Sequence, residues 1–347
     1  MKILYTGPRD IHATPALKRT RYATQRLKSQ EIIVDWNDKD DVISEDYSEC
    51  HFKPKKSIFT LILWQFYLFQ KLLKYRPGVI FNMSSLSIFP IFIYGLFSNV
   101  KVVYDCRDYL AVSYKFRPWL QRSIQFFDNL SAMWAHVVVV PDEYGYEYFY
   151  MLKRSKLYVV HNTVEDLGVR KIAVSGPIRI AYFGYLSLDR NIRTIFEFVK
   201  KNRDLIELHI ACNYIPDRLK DEILDLENII FYGNLARFEA HQVLSEMDYC
   251  LIMYDPTLGN YKNIRPTKFY DCLALGLPFI CSNGMTNLEN HVGDSSNIAV
   301  EYGCLDFGVL SKTEFSQYNR DLYPDFSYEK VVADYRDFFE GMIHSDV

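Results

Sequence analysis

The sequence has no apolar run of the roughly 20 residues that a helix needs to span a bilayer, so no transmembrane helix is predicted. It has no Cys-x-x-Cys pair either, and its seven Cys are scattered, mostly within apolar segments. This pattern favours a reducing cytoplasm over a disulfide scaffold. A basic excess is also missing: the net charge is −3, which argues against nucleic acid as a partner. The apolar segment after Met1 is too short for a signal peptide and predicts a strand.

The 347 residues and the hydrophobic fraction of 49% are enough for two cores. Apolar strands such as Val79–Asn82 and Val100–Asp105 alternate with helical segments, which predicts parallel α/β sheets. A polar stretch, residues 165–177, separates two such patterns. The predicted organisation is a Rossmann-like domain at 1–164, a linker at 165–177, a second Rossmann-like domain at 178–325 and a C-terminal amphipathic helix within 326–347.

The segment from Asn263 to Asn283 predicts a short helix of about three turns. Pro266 suits its first turn and Gly276 its end. The free N–H groups at the helix start, with Lys268 beside them, suit a phosphate. Asp271 lies one turn further on the same face, where a carboxylate can accept hydrogen bonds from the hydroxyls of a ribose. These residues suggest a nucleotide site; the alternative is a Rossmann-type helix whose charges are only solvated.

The run P-T-K-F-Y-D-C-L-A-L-G-L-P-F-I resembles the donor motif of nucleotide-sugar glycosyltransferases of the GT-B fold, in particular the retaining group 1 or family 4 class. That motif reads roughly P-x-K-x-x-E-x-x-A-x-G-x-P-V-I. The resemblance implies that Pro266, Thr267, Lys268 and Asp271 bind the donor, with Asp271 replacing the family's Glu. Asn263 stands where the family often has a Glu on the donor sugar.

A second part of the resemblance follows the predicted strand Ile178–Phe183. The family has G-R-x-x-x-x-K there, and this chain has Gly184, Tyr185 and Arg190. The resemblance implies that Arg190 and Lys268 together neutralise the donor diphosphate, because Arg holds phosphate in a bidentate manner. It also implies that the turn containing Asn234 contacts the base. The alternative for Arg190 is a surface residue at a helix start.

In the first half of the chain, the resemblance places Gly7, Arg9 and His12 in an acceptor-binding loop after the first strand. Asp105 and Asp108 follow the strand that ends at Tyr104-Asp105, where ligands of open parallel sheets gather. A carboxylate there can stabilise an oxocarbenium-like centre or hold an acceptor hydroxyl. The alternative is that Asp105 pairs with Arg107 or caps the next helix.

The resemblance implies an α/β fold of two Rossmann-like domains facing a central cleft, with the C-terminal helix crossing back to the first. It implies a glycosyltransferase that moves a sugar from a nucleoside-diphosphate donor to a hydroxyl of a glycan or lipid-linked acceptor, with retention, in bacterial-type surface polysaccharide or glycoconjugate synthesis. No cofactor or metal is predicted, because Asp38-Lys39-Asp40 lies in an ordinary polar loop. Two alternatives stay open: a non-catalytic nucleotide- or glycan-binding partner of another transferase, and an inverting enzyme with Asp105 or Asp108 as base.

Two aromatic stretches, Ile58–Leu73 and Leu86–Phe97, admit two interpretations. They are buried helices, or the first of them, with Lys53, Lys55 and Lys56 before it, lies on an anionic membrane. The second interpretation adds peripheral membrane contact through residues 53–73. The expected location is the cytoplasm, at the inner face of the membrane if that contact is made.

Overall fold

A computed structural model of the protein describes residues 1–8, 10–11, 15–27, 29–107, 109–113, 116–216, 219–220, 226–259, 261–293, 296–306, 308 and 310–344. The chain divides into two compact units. Unit 1 comprises residues 1–161 and the C-terminal segment from Val332, and unit 2 comprises Asn162–Val331. The stretch 165–177 belongs to unit 2, where the amide of Lys171 donates to the carbonyl of Leu275 at 2.9 Å.

Unit 1 contains eight strands among the described residues: β1 (Lys2–Gly7), β2 (Gln30–Asp35), β3 (Val42–Ile43), β4 (Tyr47–His51), β5 (Val79–Asn82), β6 (Lys101–Asp105), β7 (Val137–Val140) and β8 (Leu157–Val159). Its α-helices in the same residues are α1 (Pro15–Thr24), α2 (Ile58–Tyr75), α3 (Ile88–Gly95), α4 (Leu110–Ser113), α5 (Pro118–Trp134) and α6 (Gly145–Tyr148). The strands lie in the order β3-β4-β2-β1-β5-β6-β7-β8, and all neighbours are parallel except β3 and β4. A parallel sheet of this kind is covered on both faces by its crossover helices.

Side chains alternate between the two faces of this sheet, as the pleat requires. Leu4 and Ile80 face one cluster, into which α2, α3 and α5 place Trp64, Ile91 and Ala132. Tyr5 and Phe81 are the next residues along the same strands, and their rings stack on each other at 5.3 Å. The helices α2, α3 and α5 therefore cover the same face of the sheet.

The C-terminal helix, α12 (Tyr328–His344), belongs to unit 1 from Val332 onward. The ring of Phe339 lies 5.0 Å from that of Phe81, and Phe338 stacks on Tyr158 at 3.7 Å. Lys101 donates to the carbonyl of Met342 at 2.8 Å, where a cation complements the helix dipole. The amphipathic pattern of this helix accounts for these contacts.

Unit 2 contains six strands among the described residues: β9 (Ile178–Phe183), β10 (Ile206–Ala211), β11 (Ile229–Gly233), β12 (Tyr249–Ile252), β13 (Phe279–Ser282) and β14 (Ile298–Val300). Its described α-helices before α12 are α7 (Ile192–Lys201), α8 (Arg237–Ser245), α9 (Thr267–Leu275), α10 (Thr286–Glu289) and α11 (Gln317–Leu322). The strands lie in the order β11-β10-β9-β12-β13-β14, all parallel. In this doubly wound order, β10 and β11 are added on one side of β9, and β12, β13 and β14 are added on its other side. The direction in which strands are added therefore reverses between β9 and β12. Ligands of such sheets bind at that point, beyond the carboxyl ends of the strands.

The predicted fold class, two Rossmann-like α/β domains, is confirmed by these two sheets. Within unit 1 the prediction does not include β3 and β4. The aromatic stretches form α2 and α3, as predicted. No helix among the described residues combines the length and the apolar character needed to cross a membrane.

Candidate functional site

Beyond the carboxyl end of β9, three predicted site residues come together. Gly184 directly follows β9, and its φ of +115° is one that residues with a side chain rarely adopt. A Cβ atom at Gly184 would lie 3.4 Å from Cε of Lys268 and 3.8 Å from Nη1 of Arg190. The two predicted phosphate-binding cations therefore lie side by side, next to a backbone that carries no side chain.

Tyrosine rings surround these two cations. The Nζ atom of Lys268 lies 4.4 Å from the ring centroid of Tyr182, and Cζ of Arg190 lies 4.9 Å from that of Tyr254. A ring face attracts a cation but carries no net charge. Among the described residues, no carboxylate forms an ion pair with Arg190 or Lys268. Asp189 and Asp271 act on these cations only from a distance, so two positive charges share this site without a direct carboxylate partner among the described residues.

The hydrogen bonding of Arg190 is incomplete within the described residues. Its Nη1 atom donates to the carbonyl of Tyr185 at 3.3 Å, while its Nε is buried and has no hydrogen-bond partner there. A buried guanidinium N–H without a partner is costly, and an anion bound at this place would satisfy it.

The surroundings of Lys268 disfavour its charge. The pKa of Lys268 is lowered to about 8, first because burial removes water from the ammonium group and also because Arg190 is close. A bound anion would act in the opposite direction and favour the charged form. The site is therefore arranged to gain most from a ligand with concentrated negative charge.

Lys268 lies in the first turn of α9, whose start adds to the positive potential. Pro266 precedes the helix in an extended conformation, Thr267 is its first residue, and no side chain caps it. The first N–H groups of an α-helix have no intrahelical acceptor. The helix ends at Gly276, whose backbone adopts the left-handed conformation with φ +68°. The predicted helix is present at Thr267–Leu275, with Pro266 just before it rather than in its first turn and Gly276 at its end as predicted.

Asp271 lies one turn after Lys268 and is held by α8. Its Oδ1 atom accepts hydrogen bonds from Nη2 of Arg237 at 2.6 Å and from Nε2 of His241 at 2.8 Å. His241 is buried, whereas Arg237 is exposed. Sequence reasoning missed both partners. Their spacing, i and i+4 on a predicted helix, places them on one face, but nothing in the sequence indicates that this face meets α9.

Two other predicted donor-binding residues, both asparagines, lie outside α9 and the pair of cations. Asn263 precedes α9, and its carbonyl accepts from Nδ2 of Asn287. Asn234 is exposed and follows Gly233, the last residue of β11. It lies three residues before Arg237, so the turn that contains it is adjacent to the group that holds Asp271.

In unit 1, the described candidates lie at carboxyl ends of strands. Gly7 ends β1 and is buried, with Ile11 and Met83 next to it. Asp105 ends β6, is 1% exposed, and lies 3.8 Å from Nε of Arg107. The pairing with Arg107 that was considered as an alternative is therefore a loose contact.

The other predicted candidates of unit 1, Arg9, His12 and Asp108, lie outside the described residues. Within the described residues, no group of three or more His, Cys, Asp or Glu side chains is arranged to hold a metal ion.

Comparison with solved structures identifies similar folds. Sucrose-phosphate synthase from Thermosynechococcus elongatus matches with a TM-score of 0.76 and 11% identity, over 99% of this chain and 99% of that chain. HepE from Anabaena, in complex with UDP and glucose, matches with a TM-score of 0.69 and 10% identity, over 98% and 99%. The lipopolysaccharide outer core galactosyltransferase WaaB, in its apo form, matches with a TM-score of 0.63 and 13% identity, over 100% of both chains.

No family model matches the chain, and no curated protein sequence matches it significantly. The structural matches cover both units, and the proteins matched are GT-B glycosyltransferases. The chain therefore has the GT-B fold.

Proposed function

We propose that the protein is a glycosyltransferase that moves a sugar from a nucleoside-diphosphate donor to an acceptor hydroxyl. The observation that carries this proposal is the convergence of Arg190 and Lys268 at Gly184, beyond β9, with neither cation in an ion pair with a described carboxylate. A diphosphate supplies the missing negative charge. The place is the reversal point of the sheet, where doubly wound domains bind nucleotides.

The comparisons support a nucleotide-sugar donor. HepE from Anabaena has been solved in complex with UDP-glucose, and a trehalose-6-phosphate structure from E. coli was solved with UDP-2-fluoro glucose bound. UDP-sugars are accordingly the first donors to test. In this proposal Asp271 accepts hydrogen bonds from the ribose hydroxyls, Asn234 lies near the base and Asn263 near the donor sugar.

The chemistry proposed for the donor site is electrostatic. Arg190, Lys268 and the start of α9 stabilise the diphosphate as it leaves the anomeric carbon, and no metal is required. The bond from the anomeric carbon to the diphosphate oxygen breaks, the acceptor hydroxyl forms its bond on the same face and passes its proton to that diphosphate oxygen, and the configuration is retained. Asp105 and Asp108 are proposed near the reacting sugar, and Gly7, Arg9 and His12 near the acceptor.

The acceptor is proposed to be a glycan or a lipid-linked sugar in bacterial-type surface polysaccharide or glycoconjugate synthesis. The exposure of Lys55 and Lys56 supports peripheral membrane contact through residues 53–73 at the inner face of the membrane. A lipid-linked acceptor would then be within reach of the enzyme.

Two alternatives rest on particular residues. Tyr185 and Asn263 replace charged residues of the family motif, which favours a nucleotide- or glycan-binding partner without turnover. A carboxylate at Asp105 can instead act as a base, which favours inversion.

The test begins with thermal-shift screening against conjugates of UDP, GDP, ADP, CMP and dTDP, because a bound ligand stabilises the folded state. We expect one nucleotide series to raise the melting temperature and the matching sugar donor to release nucleoside diphosphate with an acceptor pool. Absence of any stabilisation contradicts the donor site. Binding without turnover favours the partner, and an inverted product anomer in NMR favours the inverting enzyme.

A further inference from the structure

The first unit carries a long segment without acidic residues. From Phe52 to Tyr104 the sequence contains no Asp or Glu, although the whole chain has 43 and a net charge of −3. The same segment contains seven Lys and Arg. In α5 the one acidic residue is Asp128, which is buried and accepts a hydrogen bond from Tyr148. The helices α2, α3 and α5 therefore expose no carboxylate.

These helices also expose a concentration of large apolar side chains. About half of all such exposed side chains among the described residues lie between Ile58 and Phe97 or on α5. On α2 the exposed positions follow helical spacing: Ile58, Phe59, Ile62, Leu63 and Phe66. Spacing of this kind produces one apolar stripe, here on the side of the helix opposite to the buried Trp64 and Leu68.

The other two helices continue this stripe. Phe89 and Phe97 are exposed at α3 and just after it. The exposed apolar side chains of α5 again follow helical spacing: Trp119, Phe126, Phe127, Leu130, Met133 and Trp134. Soluble monomers rarely expose contiguous apolar patches of this extent without an interaction that uses them.

Direct contacts join the three helices into one layer. Gln65 of α2 donates to the carbonyl of Leu86, just before α3, at 2.9 Å. The ring of Phe92 of α3 lies 4.1 Å from that of Trp134, the last residue of α5. Because all three helices cover the same face of the sheet, their outer sides point away from the sheet in a common direction.

Cations accompany this apolar layer. Lys55 and Lys56 are exposed just before α2 and form no ion pair with a described residue. Arg122 is exposed within α5. Lys53, in contrast, is neutralised by Asp40 at 2.7 Å. A surface with aromatic and aliphatic side chains, unpaired cations and no carboxylate matches the interfacial region of an anionic bilayer.

A groove of about 560 Å³ opens in the same layer, between α3 and the end of α5. Ile88, Phe92, Leu96 and Trp134 contribute its apolar lining. Its lining also includes the polar residues Ser98, Asn99, Lys101 and His136, so the groove presents both apolar and polar groups beside these helices.

We infer that the outer sides of α2, α3 and α5 form a docking surface for an anionic lipid bilayer, with their apolar side chains in the acyl region and Lys55, Lys56 and Arg122 at the headgroups. This surface extends well beyond the contact proposed for residues 53–73. It is independent of the transfer reaction, because docking requires neither donor nor acceptor.

The test is flotation of the full chain with vesicles, without nucleotide. We expect at least tenfold stronger binding to vesicles of phosphatidylcholine with about one-third phosphatidylglycerol than to phosphatidylcholine alone, and weaker binding at high salt. The surface variant carries Phe59→Ser, Phe66→Ser, Phe97→Ser and Phe127→Ser, at positions 63–77% exposed. The matched control carries Ile172→Ser, Leu205→Ser, Tyr214→Ser and Phe238→Ser, at positions 50–56% exposed in unit 2.

We expect the surface variant to lose at least tenfold in vesicle binding while the control changes less than twofold. Lys55→Gln with Lys56→Gln is expected to weaken binding to anionic vesicles only, whereas Lys200→Gln with Lys201→Gln on α7 has no effect. Wild-type protein that stays unbound overturns the inference, as does equal loss in surface variant and control. A wild-type oligomer that ignores vesicles and becomes monomeric in the surface variant identifies a second copy as the occupant instead.

Discussion

The Nζ atom of Lys268 lies 4.4 Å from the ring centroid of Tyr182, and no carboxylate among the described residues pairs with it. The ring lies on the strand that leads to Gly184, so the ammonium group is positioned at the reversal point of the sheet. A partly buried cation whose close neighbours are neutral rings is costly for the free protein and favourable once an anion binds. The predictions for this residue follow from that opposition.

Replacement of Lys268 by Met is expected to have opposite effects on binding and on stability. Affinity for a nucleoside diphosphate should fall by about 10- to 100-fold, because a charge-assisted hydrogen bond is lost. The melting temperature of the free protein should stay equal or rise, because Met needs no hydration. Calorimetric titration and thermal melts measure the two effects. Lys262→Met, at an exposed position of the preceding loop, is the control and should change neither.

The pH dependence of binding gives a second prediction for Lys268. Since its pKa is lowered to about 8, the ammonium group loses its proton in the free protein above that pH. Affinity for the diphosphate should therefore decline as pH rises from 8 to 10, by up to tenfold per unit, and Lys268→Met should remove this decline. The unfolded state keeps its proton until about pH 10.4, so this group makes the free protein more stable as pH rises over the same range. Parallel slopes in wild type and variant would contradict the role of Lys268.

Much of this site could be predicted from the sequence, because its parts are local. Pro266, Lys268 and Gly276 define a helix start and end within one short segment, and Gly184 follows an apolar strand. Local helix and strand propensity, together with Pro and Gly at the ends of elements, is enough to place such features. The prediction that Arg190 and Lys268 lie together required the family resemblance, because the two residues belong to different elements.

The parts that the sequence did not indicate depend on tertiary contacts. The strand β4 reads Tyr-Ser-Glu-Cys-His, a pattern with little apolar character, and its burial depends on partners such as Asp35, whose Oδ1 lies 2.6 Å from Nδ1 of His51. The link from Arg237 and His241 to Asp271 depends on how α8 packs against α9. Intrinsic strand propensity is weak when such contacts decide the structure.

Replacement of Asp271 by Ala is expected to separate ribose from diphosphate binding. Affinity for a nucleoside diphosphate should fall at least tenfold, because the ribose hydroxyls lose their acceptor. Affinity for inorganic pyrophosphate should stay within twofold, because Arg190 and Lys268 are unchanged. Calorimetric titration with both ligands makes the comparison, and Asp321→Ala, an exposed position on α11, is the control. Equal loss for both ligands would assign Asp271 a structural role only.

A methyl group at Gly184 tests the approach of the ligand to the backbone. Gly184→Ala places a Cβ atom 3.4 Å from Cε of Lys268 in a backbone with φ +115°, whereas Gly168→Ala, with φ +76°, places one in open space. Both substitutions impose backbone strain and should lower the free energy of unfolding by about 1–2 kcal/mol. Only Gly184→Ala should also reduce nucleoside-diphosphate affinity, since its methyl group occupies the space beside both cations. Denaturant unfolding measures the change in the free energy of unfolding, and calorimetric titration measures the change in affinity.

Because both variants carry the backbone strain, an equal loss of affinity in Gly168→Ala would show that strain alone explains the result. Unchanged affinity in Gly184→Ala would place the diphosphate elsewhere.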